Sequence, residues 1–230
     1  MSSTGNYLLD QLPRAEADRL LPSLEAISLP HGYEIHRQDS PASHVYFPTS
    51  GMCSLVIRME DGKVAEAATV GNEGMVGVQA ILASDSSPAT ATSQVPGKAL
   101  RVPLRNFLEA MTPGGSLDRL VRRYVAYNLR YANQTIGCNI LHPTEERICR
   151  WLLMTHDRAG TDEFSLTHEF LAEMLGVRRQ TVTVIAGTLQ AAGLIQYRRG
   201  IVRILDREGL EAASCECYGV LRDLYGRIMG

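Results

Sequence analysis

Residues 165–195 read SLTHEFLAEMLGVRRQTVTVIAGTLQAAGLI, and the spacing of their apolar residues predicts two short helices joined by a tight turn. Phe170, Leu171, Met174 and Leu175 share one face of the first helix. Gly176 ends it, because glycine tolerates the left-handed conformation at a helix C-terminus. The second helix is expected to bury Val182, Ile185, Ala186 and Leu189, leaving Arg178, Arg179, Gln180, Thr181 and Thr183 outward near its N-terminus. In helix-turn-helix proteins such ends enter the major groove. The residue types suit that task. Arginine bonds guanine O6 and N7 together, glutamine pairs with adenine, and threonine donates to phosphate or touches a thymine methyl.

Downstream, Gly193-Leu194-Ile195 leads into QYRRGIVRIL at 196–205. Two short β-favouring runs flank Arg198-Arg199-Gly200, which predicts a hairpin wing whose Arg198 and Arg199 contact phosphate beside the duplex. From Gly176 to Leu205 there are five arginines and no acidic residue. The net charge of −2 hides this patch, and local charge rather than the sum governs binding to a polyanion. A helix pair with a merely solvated basic surface is the alternative. Against it stands the joint occurrence of helix, glycine turn, basic helix and basic hairpin.

At 230 residues the chain exceeds the ~100–150 of a usual domain. Apolar residues make up 45% and charged ones 21%, an ordinary globular balance. No apolar run approaches the ~20 residues that span a bilayer. Residues 1–20 lack the basic start and apolar core of a secretory signal, so a cytoplasmic protein is expected. After an N-terminal helical segment carrying Leu20, Leu21 and Leu24, residues 29–105 turn rich in glycine, proline, valine and threonine. GYEIHRQDS (32–40), HVYFPTSG (44–51), CSLVIRM (53–59) and KVAEAATVG (63–71) are short β runs at the spacing of an antiparallel sandwich or barrel. Asp61-Gly62 predicts a type I′ hairpin with positive φ at both residues. SDSSPATATS (84–93) reads as a flexible loop or weak strand.

From Ser116 the period changes. Leu117, Leu120, Val121, Tyr124, Tyr127, Tyr131, Thr135, Cys138 and Leu141 recur at three- and four-residue steps, predicting an amphipathic helix roughly 39 Å long. That exceeds what a small domain needs to cover itself. The stripe of Leu117, Leu120, Val121, Tyr124, Tyr127, Tyr131 and Cys138 is therefore expected to pair with the same helix of a second chain; the alternative is a helix lying on its own β-domain. Pro143 breaks the pattern and makes His142-Pro143 the expected hinge. Thr144 is expected to cap the next helix, which buries Ile148, Trp151, Leu152 and Leu153. The expected divisions are a β-rich domain at 1–115, a dimerisation helix at 116–141 and a DNA-binding domain at 142–230.

Together these features resemble the cyclic-AMP receptor and fumarate–nitrate regulator (Crp/Fnr) family over nearly the whole chain. Residues 29–77 resemble its β-roll opening, 116–141 its dimerisation helix, PTEERICRWLL (143–153) the first helix of its DNA-binding domain, and GVRRQTVTVIAGTLQAAGLI (176–195) its most specific segment. The resemblance implies an α+β protein: an N-terminal antiparallel β-roll of the cyclic-nucleotide-binding jelly-roll kind, a long dimerisation helix and a C-terminal winged helix-turn-helix. The family's recognition helix commonly opens with arginine, glutamate, threonine and valine; here Arg179, Gln180, Thr181 and Val182 stand. The family arginine maps onto Arg179. Gln180 replaces the glutamate and Val184 a basic position one turn on, so the family's best-known half-site is not implied.

Cyclic-AMP-binding members place a glutamate after a glycine and an arginine further on. Here Val78 follows Gly77, Pro88-Ala89 occupy the arginine's neighbourhood, and no Lys or Arg occurs between Lys63 and Lys98. A cyclic phosphate wants a guanidinium or converging amides, so cyclic AMP is not expected; Gly71, Glu73, Gly74 and Gly77 read as turn-forming. The iron–sulfur branch carries an N-terminal cysteine cluster, but no cysteine precedes Cys53, so that cofactor is not expected either. The five cysteines form no CxxC pair. Cys53 and Cys138 read as packing thiols, and Cys215 and Cys217 as ordinary thiols rather than a redox pair or metal ligands. None of His31, His36, His44, His142, His156 and His168 is marked as a haem ligand by its spacing. Without an HxH pair or a Ser/His/Asp pattern, a cupin-like enzyme is not expected, and the arginine patch argues against a dimeric protein-interaction module. The expectation is a homodimeric, sequence-specific DNA-binding transcription regulator with no cofactor or metal and an unknown effector; effector-independent or thiol-responsive control is the alternative. Its expected partners are a duplex DNA operator, a second copy of the chain and RNA polymerase, and no membrane.

Overall fold

The computed structural model describes residues 3–82 and 86–230. Two short helices, α1 (Tyr7–Asp10) and α2 (Arg14–Leu20), come first. Asn6 caps α1 by accepting from the Leu8 and Leu9 N–H groups, and its amide donates to the Pro48 and Gly74 carbonyls (2.8 and 2.9 Å), tying the N-terminus to the domain that follows. That domain is one antiparallel sheet of β1 (Glu25–Leu29), β2 (Glu34–His36), β3 (His44–Arg58), β4 (Val64–Val70) and β5 (Thr90–Pro103). Its strand order is β1-β5-β3-β4, with β2 also paired to β5. The interior is filled by Leu29, Ile35, Tyr46, Leu55, Val70 and Val76, among others. Helices α3 (Val78–Ile81) and α4 (Leu104–Ala110) flank β5.

Three local expectations need correction here. HVYFPTSG and CSLVIRM are not two strands but one: β3 passes Gly51 (φ 76°) and continues, because β5 pairs with it from His44 to Val56 through register shifts. The β3–β4 hairpin forms, yet its turn is not type I′. Glu60-Asp61-Gly62 make a three-residue loop in which only Gly62 (φ 84°) has positive φ, closed by Gly62 N–H donating to the Met59 carbonyl (2.9 Å). Of the 84–93 stretch, Ser84 and Asp85 lie outside the described residues. Thr90–Ser93 are the start of β5, where cross-strand bonds to β3 outweigh a weak intrinsic preference.

The 26-residue helix α5 (Ser116–Leu141) leads to α6 (Thr144–Ala159). Pro143 takes the N-cap position of α6 itself, so Thr144 is the first helical residue and does not cap. Then come β6 (Glu163–Ser165), α7 (His168–Leu175), α8 (Arg179–Ala191), β7 (Ile195–Arg198), β8 (Ile201–Ile204), α9 (Arg207–Ala212) and α10 (Cys217–Met229). Strands β6, β8 and β7 form a small sheet in that order. No helix among the described residues is long and apolar enough to cross a membrane.

The main correction concerns α5. Leu117, Leu120, Val121, Tyr124, Tyr127, Tyr131 and Cys138 are all buried within their own chain. Helix α10 returns antiparallel along that face. Tyr225 meets Tyr127 edge-on at 5.7 Å, and Arg123 donates to the carbonyls of Ile228 and Gly230 (2.7 and 2.8 Å). Tyr124 donates to the Met75 carbonyl (3.2 Å) and Tyr131 meets Thr69 of β4 at 3.1 Å. The stripe assigned to a partner helix is thus occupied by α10 and the β-domain, so it cannot also be the seam between chains.

Candidate nucleic-acid interface

Helices α7 and α8 form the helix-turn-helix. Thr167 caps α7, accepting from the Phe170 N–H (3.1 Å), and Gly176 closes it at φ 65°. Val182, Ala186 and Leu189 of α8 are buried against α7 and the small sheet, with Ile185 partly so. This apolar stripe fixes which face of α8 looks outward. Arg178, Arg179, Gln180, Thr181 and Thr183 are all exposed. Arg178 is the N-cap and offers no side-chain cap, which leaves first-turn N–H groups for a phosphate oxygen and adds the positive end of the helix dipole.

The wing is a two-residue hairpin. Arg199 (φ 51°) and Gly200 (φ 79°) both adopt the left-handed conformation of a type I′ turn. Arginine rarely takes that conformation, and here it stands at the outermost point of the hairpin with Arg198 beside it, both exposed. The Gly200 carbonyl accepts from the Leu166 N–H (2.8 Å), anchoring the wing to the segment entering α7. His168 links all three parts. Its ring stacks on Tyr197 of β7 at 4.2 Å, and its Nδ1 lies 3.0 Å from the Thr183 hydroxyl of α8. Burial, then the Arg179 charge, push this imidazole below its ordinary titration range and so favour its neutral form.

The seven residues expected to meet DNA are all exposed, five at the N-terminal end of α8 and two at the wing, and Arg178, Arg179, Gln180 and Thr183 line one open groove. Val184, set by the resemblance at a family basic position, and Glu169, which sequence reasoning did not single out, line the same groove. Val184 is 70% exposed, an apolar side chain off the buried stripe of α8 and suited to a thymine methyl. Glu169 of α7 lies 3.6 Å from Arg179 with both side chains exposed, orienting that guanidinium in the absence of DNA. The signal for Val184 was its position two residues from Val182, on the opposite side of the helix.

Two buried polar contacts join this unit to the β-domain. Trp151 Nε1–H of α6 donates to Glu66 of β4 (2.9 Å), which also accepts from Ser54 (2.8 Å). Arg158 of α6 pairs with Glu73 at 2.7 Å, both largely buried. Gly71 and Gly74, read as turn formers, also leave necessary space: a Cβ on Gly71 would meet the Arg158 side chain at 2.7 Å, and one on Gly74 would strike the Tyr124 hydroxyl. Cys53 and Cys149 are inert, their thiols pushed up to about 12 by burial. Cys138, His142, Cys215 and Cys217, by contrast, come together, a grouping that no spacing in the sequence indicated.

This is the architecture of a winged helix-turn-helix DNA-binding transcription regulator carrying an N-terminal β-roll. Residues 146–213 match the Crp-like helix-turn-helix domain, and residues 26–112 match the cyclic nucleotide-binding domain. The chain is 23% identical over 198 residues to a CRP-like cAMP-activated global transcriptional regulator of Mycobacterium tuberculosis, covering 83% of this chain and 88% of that one. Its fold is similar to that of FixK2 from Bradyrhizobium japonicum (TM-score 0.69, 19% identity, 84% of this chain and 98% of that one). It is also similar to the c-di-GMP-responsive global regulator CLP of Xanthomonas campestris (TM-score 0.68, 16% identity, 84% and 100%). The chain belongs to the Crp/Fnr family, a family of transcription regulators and not of enzymes.

Proposed function

We propose that the chain acts in the cytoplasm as a homodimer that reads a two-fold-symmetric operator, with α8 in the major groove and the wing on the backbone. The observation that carries this reading is the exposure of Arg178, Arg179, Gln180, Thr181 and Thr183 on α8 and of Arg198 and Arg199 at the wing, with no acidic residue between Gly176 and Leu205. Arg179, Gln180 and Val184 contact base edges; Arg178, Arg198 and Arg199 contact phosphates.

The dimer seam is a second stripe of α5: Val125, Leu129, Ala132, Ile136 and Ile140. Its steps of four and three residues are those of a coiled-coil seam. Leu129, Ile136 and Ile140 are 63%, 58% and 75% exposed, so in a single chain this apolar face lies open to water. Two such helices side by side set the recognition helices roughly 34 Å apart, one turn of DNA.

Cyclic AMP is not the effector in this reading. The region that would hold a cyclic phosphate has no Lys or Arg between Lys63 and Lys98, and apolar side chains fill the roll. A signal arising in the roll reaches α6 through Glu66–Trp151 and Glu73–Arg158. Selection of bound sequences from random duplex DNA, using the purified effector-free chain, tests the central point. A two-fold-symmetric motif is expected. Failure to enrich any sequence, with only salt-insensitive binding to random duplex, overturns the assignment.

A further inference from the structure

We propose that Cys138, His142, Cys215 and Cys217 form a mononuclear zinc site that staples the end of α5 to the start of α10. Their four candidate ligand atoms all lie within 4.8 Å of one another. Cys138 Sγ is 3.5 Å from Cys215 Sγ, and Cys217 Sγ is 3.5 Å from His142 Nδ1. A tetrahedral zinc with Zn–S of about 2.3 Å and Zn–N of about 2.0 Å sets its ligands roughly 3.5–3.8 Å apart. Two of the ligand pairs already stand at that separation and the rest lie within 4.8 Å, a size that suits one ion rather than a multi-iron centre. Three thiolates and an imidazole are a recurrent structural zinc set, softer than magnesium or calcium would choose.

The surroundings support the same reading. His142 Nε2 lies 3.1 Å from the Glu216 carboxylate, which holds the proton on Nε2 and leaves the Nδ1 lone pair facing Cys217. A carboxylate behind a ligating histidine is the usual second partner of a zinc imidazole. The Gln134 amide donates to Cys217 Sγ at 3.0 Å, orienting a thiolate. Charge agrees as well. Three thiolates, a neutral imidazole and Zn2+ sum to one negative charge. Arg147 and Arg150 are buried, form no ion pair among the described residues, and lie within electrostatic reach of Cys138 and Cys215. Buried cations need a counter-charge, and the anionic metal centre provides one.

The ligands come from three places: the last turn of α5, its C-cap immediately before Pro143, and the start of α10. The ion therefore ties the long helix, the hinge and the C-terminal helix into one unit. The three cysteines form a packing group of their own, apart from the main apolar core.

The test is elemental analysis of the full-length chain purified in reducing buffer without chelator, followed by cobalt titration of the metal-stripped chain. About one zinc per chain is expected, with tetrahedral thiolate–cobalt absorption saturating at about one equivalent. Cys217→Ser should lose most of the bound metal and Cys53→Ala should keep it. The cobalt titration uses the unaltered chain, so a variant that fails to fold does not blunt the test. No cobalt spectrum from the reduced native chain overturns the proposal. So does metal retained when Cys138, Cys215 and Cys217 are all changed to serine, or an iron–sulfur chromophore in place of zinc.

Discussion

Arg179 stands where a base-reading side chain must stand: exposed, on the first turn of α8, with the equally exposed Glu169 carboxylate 3.6 Å away. Arg179→Ala should cost ~1–3 kcal/mol at the cognate operator and relax sequence preference there; equal losses on cognate and random duplex, read by fluorescence anisotropy, would refute base readout. Arg199 plays a different part. Its left-handed backbone costs about 1–2 kcal/mol for a residue with a Cβ, a cost accepted where the charge has to sit at the hairpin tip. Arg199→Asn, a residue enriched in that conformation, should recover part of this in thermal stability. It should also reduce the salt dependence of DNA binding by about one counterion. An unchanged salt slope would remove the tip from the phosphate contacts.

At the scale of the element, α5 carries two apolar stripes, and only one of them is available to another molecule. Tyr127 belongs to the inner stripe, between Tyr124 at 5.8 Å and Tyr225 at 5.7 Å. Tyr127→Ala should lower stability by about 3–5 kcal/mol, as large-to-small changes of buried aromatics do, through unfolding of each chain. Leu129 and Ile136 belong to the outer stripe. Leu129→Glu should leave each chain folded yet weaken association well over tenfold, because a buried carboxylate without a partner costs about 1–3 kcal/mol or more. Sedimentation of the two variants separates the stripes. A wild-type chain that sediments as a monomer at micromolar concentration, or a dimer untouched by Leu129→Glu, would sink the proposed seam.

At the scale of the whole molecule, the regulatory roll and the DNA-reading unit meet through α6 and the polar pairs at Glu66 and Glu73. Burial pushes Glu66 up to about 7, against the opposing pull of its bonds from Ser54 and Trp151 and the charges of Arg150 and Arg158. Its folded-state pKa thus exceeds its ordinary 4.5, and the folded chain holds the proton more tightly than the unfolded one. The stability this group contributes is fully present below the ordinary carboxylate range and is lost as pH rises to about 7. Thermal melting should therefore show a declining component across that window, absent in Glu66→Gln. A variant whose melting follows the same slope would remove Glu66 as its source.

The recognition unit was legible in residues 165–204 because its signals are local. A glycine C-cap, a 3.6-residue apolar stripe and a two-residue turn each act within a few residues, and the stripe that buries Val182 and Leu189 necessarily turns Arg179 and Thr183 outward. The β-roll was legible in kind, from the frequency of its short β runs. Its details were not: whether β3 continues or ends at Gly51 depends on β5, some forty residues away. Periodicity likewise showed that α5 has an apolar face but not what covers it, since a stripe of tyrosines looks the same beneath α10 as beneath a partner helix. Cys138, His142, Cys215 and Cys217 make the same point. Separated by up to 79 positions, they share a site only because α10 folds back on α5, and contacts closed by long loops leave no mark in local pattern.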